Sequence, residues 1–254
     1  MGRSEWAERM YARYSEVRPS YPVPKSLTQL LSGADVVFDK FLLPLLPPHK
    51  DAKIVDIGCG YGHFVYYLQR AGYSEAMGID LTRRQVEVGL SLGVANLRHG
   101  EAVELLRESP AHFDFISAIE VLEHIPKPEV LGFLDLVHAA LRPGGRFVCI
   151  VPNLKAFYSQ TFFMDFSHET PFTGPSLKQV LELADFVDIR VLPMGPVAHG
   201  VKSAVRLLLW RLTEACLRFV QTVQGGPQDP LAGIFTAAIL AVGGKPRTSP
   251  IRHG

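Results

Sequence analysis

The amino-acid sequence predicts an α/β protein with a doubly wound, mostly parallel sheet. Between residues 53 and 151, short apolar strands alternate with helical segments, as they do in strand–helix–strand units. A glycine-rich turn directly follows the first of these strands, and an acidic residue ends the second. Ligands of such sheets bind over the carboxyl ends of the strands, so the same features predict a nucleotide-type ligand site.

The glycine-rich turn lies in segment 54–62, Ile-Val-Asp-Ile-Gly-Cys-Gly-Tyr-Gly. Glycines let the backbone approach a ligand where a Cβ atom would collide, and the helical pattern that follows offers N–H groups at its start. The spacing fits D-x-G-x-G-x-G, which runs from Asp56 to Gly62. It does not fit the dinucleotide pattern G-x-G-x-x-G, because the third glycine would have to stand at His63.

Two acidic positions follow the next two predicted strands. Asp80 ends the strand 75–80, and it stands 24 residues after the acid of the glycine motif. A carboxylate at this place binds ribose hydroxyls in α/β folds. Glu101 and Ala102 follow the short strand 96–99.

The remaining motifs belong to the centre of the predicted sheet. The apolar strand 113–119 runs into an E-x-x-E-H sequence at residues 120–124. A helix is predicted over residues 127–141, and the Pro-Gly-Gly turn at its end leads into the strand 147–151.

These five motifs, in this order, resemble those of class I S-adenosylmethionine-dependent methyltransferases. The resemblance is nearest to the sugar and small-molecule O-methyltransferases with an E-x-x-E-H sequence. It implies a Rossmann-like, seven-stranded, mostly parallel sheet, with an N-terminal helical cap and an insert after strand five. The cofactor is then S-adenosyl-L-methionine, and the implied binding residues are Asp56, Gly58, Cys59, Gly60, Gly62, Asp80, Leu81, Glu101, Ala102 and Glu120.

The resemblance also organises the chain into regions. Residues 1–50 form the helical cap, residues 51–244 the methyltransferase domain, and residues 245–254 a tail that we expect to be disordered after Lys245. Within the domain, residues 153–174 are expected to form a substrate insert, and residues 199–224 an amphipathic helix.

The helical cap contains aromatic and charged residues at helical spacing before Pro19. Segments at this place often cover the cofactor cleft in the family. Two interpretations stay open for Trp6, Tyr11, Tyr14 and Arg18. These residues can contact ligand or substrate, or they can belong to a capping helix with solvated charges.

The predicted insert is rich in aromatic residues and contains Asp165 and His168. It resembles the D-x-[ST]-H-x-x-x-[FW]-T-x-x-x-L block of several sugar and polyketide methyltransferases and, more distantly, of small-RNA ribose methyltransferases. In the latter, the E-x-x-E-H sequence and a distant histidine bind a divalent metal ion.

Methyl transfer to a hydroxyl group requires a base, a metal ion or both, because an alcohol has a pKa far above 7. Carboxylates and imidazoles can complete an octahedral site for Mg²⁺ or Mn²⁺, and the candidate ligands are Glu120, Glu123, His124 and His168. A second interpretation is metal-free, with His124 or His168 as general base and Asp165 orienting it. In a third, Glu123 and His124 only cap a helix before Pro126.

The helix 199–224 has an amphipathic pattern of period 3.6. Its charged residues, Lys202, Arg206, Arg211, Glu214 and Arg218, occupy about half of the helical circle. The apolar side opposite to them contains Leu207, Leu208, Leu212, Ala215 and Phe219. We expect the charged side to be an ordinary solvated surface; a dimer or lid surface and contact with a membrane-bound glycolipid acceptor stay open.

Composition narrows the function further. A formal net charge of +1 and the lack of a basic stripe with stacking aromatics argue against nucleic-acid binding. Three scattered cysteines do not form a disulfide framework or a thiolate zinc site. The sequence shows no signal peptide and no apolar run long enough to span a membrane, so we expect a cytoplasmic protein, with peripheral membrane contact and a homodimer left open.

The sequence therefore predicts methyl transfer to a hydroxyl group of a sugar or sugar-like acceptor, either a glycan or a natural product. Alternative acceptors are the amine of an aminosugar, a quinone-type phenol and RNA ribose. Outside this reaction, the alternatives are a catalytically silent methyltransferase-like binding module and a nicotinamide oxidoreductase.

Overall fold

The computed structural model describes residues 6, 9–11, 13–14, 22–226 and 229–247, and of Tyr158 the backbone only. Arg18 and residues 248–254 of the tail, which were included in the sequence-based predictions, lie outside the described residues. The described residues among 6–14 are helical, as expected for the cap.

Within these residues, seven strands form one sheet in the order β3-β2-β1-β4-β5-β7-β6. Strands β1 to β5 are parallel, and β7 lies antiparallel between β5 and β6. The predicted seven-stranded, mostly parallel sheet is therefore confirmed. The strands are β1 Ile54–Ile57, β2 Ala76–Asp80, β3 Leu97–His99, β4 Phe113–Ile119, β5 Leu141–Pro152, β6 Val187–Met194 and β7 Ala238–Gly244.

Helices cover both faces of the sheet. The α-helices are α1 Leu27–Leu31, α2 Ala34–Phe41, α3 His63–Arg70, α4 Arg83–Ser91, α5 Ala102–Glu108, α6 Val130–Ala140, α7 Gln160–Phe163, α8 Gly174–Leu183 and α9 Val201–Gly225. Short 3₁₀ turns lie at Leu43–Leu45, Leu122–His124, Lys127–Glu129, Phe157–Ser159 and Pro230–Gly233. Among the described residues, no helix is long and apolar enough to cross a membrane.

The hydrophobic core has a layer on each side of the sheet, because successive side chains of a strand point to opposite faces. Val55 of β1 packs with Phe133 and Leu134 of α6 on one face. Ile54 packs with Phe64 and Leu68 of α3 on the other. Burial on both faces is what makes the central strands continuously apolar.

The Pro-Gly-Gly segment before the fifth strand differs from the prediction. Helix α6 ends at Ala140, and residues 141–146 already belong to β5. Leu141 pairs with Phe113 of β4, while Gly144 takes a positive φ of 82°. The backbone of Lys245 exchanges hydrogen bonds with Gly144 and Gly145.

Helix α9 has the predicted extent, but its orientation differs from the expected one. Its contacts with the protein run along Ser203, Leu207, Trp210, Glu214, Leu217 and Gln221, which are partly or fully buried. Leu208, Leu212 and Phe219, which were expected to face the protein, are exposed. Lys202, Arg206, Arg211 and Arg218 are exposed as expected, so α9 presents both its basic residues and most of its apolar side to solvent.

Candidate active site

The glycine-rich loop after β1 is fixed to the end of β2 by backbone hydrogen bonds. The amides of Gly58 and Cys59 donate to the Ile79 carbonyl at 2.8 and 3.2 Å. The Gly60 amide donates to Asp80 Oδ2 at 2.8 Å. The loop thus lies over the carboxyl ends of two parallel strands, where the sequence predicted a ligand.

The three glycines of this loop have positive φ angles of 68°, 56° and 83° at Gly58, Gly60 and Gly62. A Cβ atom on Gly58 would lie 2.5 Å from Val121 Cγ2, and one on Gly62 would lie 2.9 Å from Leu97 Cδ1. Packing within the protein therefore requires glycine at Gly58 and Gly62, whether or not a ligand also approaches the backbone there.

Cys59 turns its side chain into the protein. A Cβ atom built on Gly78 of β2 would lie 2.7 Å from Cys59 Sγ, so the thiol fills the space that the glycine leaves. Burial raises the pKa of this thiol. The sequence analysis assigned a cofactor-binding role to Cys59. In this position the backbone of Cys59 fits that role, and its thiol does not.

Asp80, at the end of β2, bonds directly to the glycine loop. Its two oxygens accept hydrogen bonds from the Gly60 and Thr82 amides, the latter at 2.6 Å. Burial raises the pKa of this carboxyl, and the two amides oppose that effect. Because a carboxylate has about four acceptor positions, Asp80 can hold the loop and still accept from a ribose diol.

Asp56 lies deeper, in the middle of β1, between Gly78 and Ser117 of the neighbouring strands. The Ser117 hydroxyl donates to Asp56 Oδ1 at 2.7 Å. Burial raises the pKa of Asp56 to about 7, more than the Ser117 hydrogen bond lowers it. The carboxyl can therefore hold a proton at neutral pH until a cation approaches.

The other predicted cofactor residues follow β2, β3 and β4 at the same edge. Leu81 follows Asp80, Glu101 stands directly before α5, and Ala102 is the first residue of that helix. Glu120 follows β4 with a φ of 55°, and its side chain is exposed.

The turn after β4 is fixed to the insert. The Glu123 carbonyl accepts from the Glu169 and Thr170 amides at 2.7 and 3.0 Å. The Thr170 hydroxyl donates to the Ile125 carbonyl at 2.6 Å. The insert therefore lies against the E-x-x-E-H sequence, as the sequence analysis expected.

This contact brings Glu123, His124 and His168 together. One ligand atom from each lies within 4.8 Å of the other two. His168 Nε2 is 4.0 Å from Glu123 Oε1, and both side chains are almost fully buried. Glu120 is not part of this group, because it follows β4 with an exposed side chain, whereas Glu123 is buried in the 3₁₀ turn. The predicted set of four metal ligands is reduced to three.

The hydrogen bonds of the two histidines fix their tautomers. His168 Nδ1 is 2.7 Å from the Phe162 carbonyl, which can only accept, so Nδ1 carries the proton. His124 Nδ1 is 3.0 Å from Ser167 Oγ and 3.2 Å from the Ser167 carbonyl. The Ser167 hydroxyl donates its one proton to Asp165 Oδ1, so His124 Nδ1 is again the donor. In the neutral form, each Nε2 therefore bears a lone pair.

Asp165 reaches His124 through an intermediate residue. Its carboxylate accepts from Ser167 Oγ at 2.5 Å and from the Tyr14 hydroxyl at 2.8 Å. Orientation of His124 by Asp165 stays a prediction, and the hydrogen bonds through Ser167 are compatible with it. Ser167 did not enter the predicted site, although it occupies the serine position of the D-x-[ST]-H block.

The N-terminal cap also contributes to the site. Tyr14 is buried, and its ring meets that of His124 edge to face at 6.3 Å between centroids. Trp6 meets Phe166 of the insert at 6.0 Å. For Tyr14, contact with the site is the interpretation that the structure supports.

The donor set of the three-residue group fits a divalent metal ion. Imidazole ligands of metals commonly donate their other N–H group to a backbone carbonyl or a polar partner, and both histidines do so here. The same lone pairs fit a general base. The glycine loop, with its positive φ angles, and the Asp80 carboxylate beside it also fit an adenosine-containing ligand.

The fold and this site define a methyltransferase, and comparison with known proteins agrees. The family model described as "Methyltransferase domain" matches residues 19–191, more than half of the chain. The protein belongs to this family.

Curated relatives include ubiquinone biosynthesis O-methyltransferases. That of Paracidovorax citrulli is 31% identical over 162 residues, which are 61% of this chain and 62% of the relative. That of Xylella fastidiosa strain 9a5c is 38% identical over 104 residues, 39% of this chain and 41% of the relative. The chain therefore spans less than two thirds of the length of these relatives. Demethylmenaquinone methyltransferase of Staphylococcus aureus is 28% identical over 186 residues, 61% of this chain and 76% of that protein.

Solved structures share the fold. A SAM-dependent methyltransferase from Archaeoglobus fulgidus has a TM-score of 0.60 at 18% identity, over 86% of this chain and 97% of that one. Phosphoethanolamine N-methyltransferase 2 of Haemonchus contortus, in complex with S-adenosyl-L-methionine, has a TM-score of 0.58 at 16% identity, over 93% and 60%. These likenesses establish the class I methyltransferase fold.

Proposed function

We propose that the protein is an S-adenosylmethionine-dependent O-methyltransferase. The observation that carries the proposal is the proximity of the Asp80-anchored glycine loop to the turn that holds His124, since a Cβ atom on Gly58 would lie 2.5 Å from Val121 Cγ2 at the start of that turn. The bound cofactor would supply a methyl group on a sulfonium, to be taken by an acceptor lone pair in an in-line displacement.

The loop residues would hold the nucleoside part of the cofactor. Asp80 accepts the ribose hydroxyls, and the backbone at Gly58 and Gly60 leaves room for the adenosine and the methionine chain. Glu101 and Ala102 would lie near the adenine, as the family resemblance implies. Asp56 and Glu120 provide negative charge at the methionine end, where the cofactor carries its ammonium group.

A hydroxyl acceptor must lose a proton during transfer, and the structure provides two imidazole lone pairs for it. The Nε2 atoms of His124 and His168 are proton acceptors in their neutral forms, as their Nδ1 hydrogen bonds require. An amine acceptor could react once neutral and would not need this arrangement. The paired histidines therefore support O-methylation over N-methylation of an aminosugar.

Glu123, His124 and His168 would hold a metal ion if one is required. A divalent ion there would lower the pKa of a coordinated hydroxyl group. Two imidazoles and one carboxylate suit Mn²⁺ better than Mg²⁺, which prefers oxygen ligands. Without the metal, His124 or His168 serves as the base alone.

We propose a quinone-type phenol as the acceptor in place of the sugar hydroxyl that the sequence motifs favoured. Two observations support this choice. Relatives with up to 38% identity are named as ubiquinone biosynthesis O-methyltransferases. The insert beside the histidines also presents large apolar side chains to solvent, namely Phe157, Phe163, Met164 and Phe166, which suit an apolar aromatic ring better than a sugar.

The experiment is transfer of labelled methyl from S-adenosylmethionine to matched acceptors, a catechol, its aminophenol counterpart and a methyl glycoside. We expect label on the catechol oxygen. Transfer only to the glycoside would replace the phenol by the sugar, and transfer only to nitrogen would contradict O-methylation.

A further inference from the structure

Helix α9 has an apolar side that the described part of the protein does not cover. Its most exposed apolar residues are Val201 at 83%, Phe219 at 70% and Val223 at 71%. Val205, Leu208, Leu209, Leu212 and Val220 are each at least half exposed. A surface helix normally turns such residues toward the core, so this arrangement calls for a partner in place of water.

The two sides of α9 are separated by the helical period. The side that packs on the protein recurs at Ser203, Leu207, Trp210, Glu214, Leu217 and Gln221, in steps of three and four residues. The outward stripe recurs at Val201, Val205, Leu208, Leu212, Phe219 and Val223, on the opposite side. The apolar stripe runs over the whole length of the helix.

Basic residues border this stripe on both flanks. At about 100° per residue, Lys202 and Arg206 lie along one flank and Arg211 and Arg218 along the other. The single acid of the helix, Glu214, lies on the packed side and forms an ion pair with Arg218 at 3.2 Å. The outward surface of α9 is therefore apolar in the middle and positive at its edges.

The helix lies at the sheet edge that holds the candidate active site. It connects Met194, where β6 ends, to β7, which begins at Ala238 opposite Pro152 at the end of β5. Arg218 Nε donates to the Gly233 carbonyl, and Lys155 Nζ at the start of the insert donates to the neighbouring Ala232 carbonyl. The same turn therefore supports α9 and the insert.

We propose that the outward side of α9 binds the surface of an anionic lipid bilayer, with the helix in the plane of the interface. The apolar stripe would enter the boundary between headgroups and acyl chains, while the side chains of Lys202, Arg206 and Arg211 extend to the anionic headgroups. This proposal does not depend on the identity of the methyl acceptor.

Charge favours this occupant over a second copy of the chain. Two α9 helices paired through their apolar stripes would bring basic flanks together, and like charges across an interface oppose association. An anionic surface would attract the basic residues on both flanks of α9.

The test is flotation of the whole protein with vesicles of neutral phosphatidylcholine and with vesicles in which part of this lipid is replaced by phosphatidylglycerol. We expect binding to the anionic vesicles, weakening with salt. Leu212→Glu combined with Phe219→Glu should lower the partition coefficient at least about tenfold. The reason is that the variant lacks two large apolar side chains that transfer from water to the bilayer in the unmodified protein.

The matched control is Leu183→Glu. Leu183 is 62% exposed and Leu212 is 59% exposed, but Leu183 lies at the end of α8 and outside the proposed surface. This variant should bind vesicles like the unmodified protein. All variants replace exposed side chains, and thermal unfolding checks that they are folded.

Two results would overturn the proposal. One is an unmodified protein that binds neither kind of vesicle. The other is an unmodified protein that is a dimer by light scattering and does not bind vesicles, together with a double variant that is a monomer. Helix α9 would then be an interface between copies of the chain.

Discussion

Asp80 has two functions in the proposed site, and both can be measured at this one residue. It anchors the Gly60 and Thr82 amides and would accept the ribose hydroxyls. Asp80→Ala should weaken S-adenosylhomocysteine binding by about 1–3 kcal/mol, the usual cost of losing charge-assisted hydrogen bonds. Calorimetric titration measures the change, with Asp51→Ala, at an exposed aspartate, as control. Undiminished affinity in a folded Asp80→Ala variant would remove Asp80 from the ribose role.

Asp56 should make stability depend on pH. Its pKa rises from 3.8 to about 7 on folding, so between these values the folded state keeps a proton that the unfolded state loses. The free energy of unfolding then falls as pH rises, by up to roughly 1.4 kcal/mol per pH unit, and levels off above pH 7. Asp56→Asn removes this contribution, so the stability of the variant relative to the unmodified protein should rise from pH 4 to 7. A difference that is flat with pH, in chemical denaturation, would refute the raised pKa.

Ser167 is a positioning residue for His124. Its hydroxyl links His124 Nδ1 to Asp165, and Ser167→Ala removes this link while the contact with the Ser167 carbonyl at 3.2 Å can remain. We expect kcat to fall roughly tenfold, the lower end for losing the partner of a functional histidine. The pH–rate profile should shift, while S-adenosylhomocysteine affinity stays unchanged. Ser91→Ala, at an exposed serine, is the control, and an unshifted profile would argue for a purely structural Ser167.

At the scale of elements, the turn after β4 and the insert together hold Glu123, His124 and His168. Chelation distinguishes the two chemistries proposed for this group, a metal ion and a histidine base. If Glu123, His124 and His168 share a metal ion, EDTA should abolish turnover and Mn²⁺ should restore it more effectively than Mg²⁺. His168→Ala should then lose turnover with little change in S-adenosylmethionine affinity, while Glu120→Ala should keep the metal. Full activity after exhaustive chelation would assign the proton to a histidine base.

The elements also show where sequence reasoning reaches its limit. The period of α9 gave its length and its two sides, but not which side packs, because a leucine-rich stripe was expected to face the core. The protein packs instead on Ser203, Trp210 and Gln221. The start of β5 was not predicted at residues 141–146, because Pro-Gly-Gly usually ends regular structure, whereas here it continues a strand.

At the scale of the whole molecule, the sheet followed from the sequence because its determinants are local. Apolar strands, glycine turns and acids at strand ends are read from short segments, and the order of motifs placed the cofactor loop. The contact from Tyr14 to Asp165 spans 151 residues, and no local pattern specifies it. The E-x-x-E-H sequence likewise named Glu120 beside Glu123, but only backbone geometry decides which carboxylate turns inward.

The central claim is that the glycine loop and Asp80 bind the adenosine of S-adenosylmethionine. Calorimetry with S-adenosylhomocysteine and, separately, with NAD tests it most directly, using the unmodified protein and Gly60→Val. Valine at Gly60 would introduce a branched side chain where φ is 56°, so it should abolish binding. We expect the unmodified protein to bind S-adenosylhomocysteine and not NAD. Binding of NAD, binding of neither ligand, or normal S-adenosylhomocysteine binding by a folded Gly60→Val variant would contradict the claim.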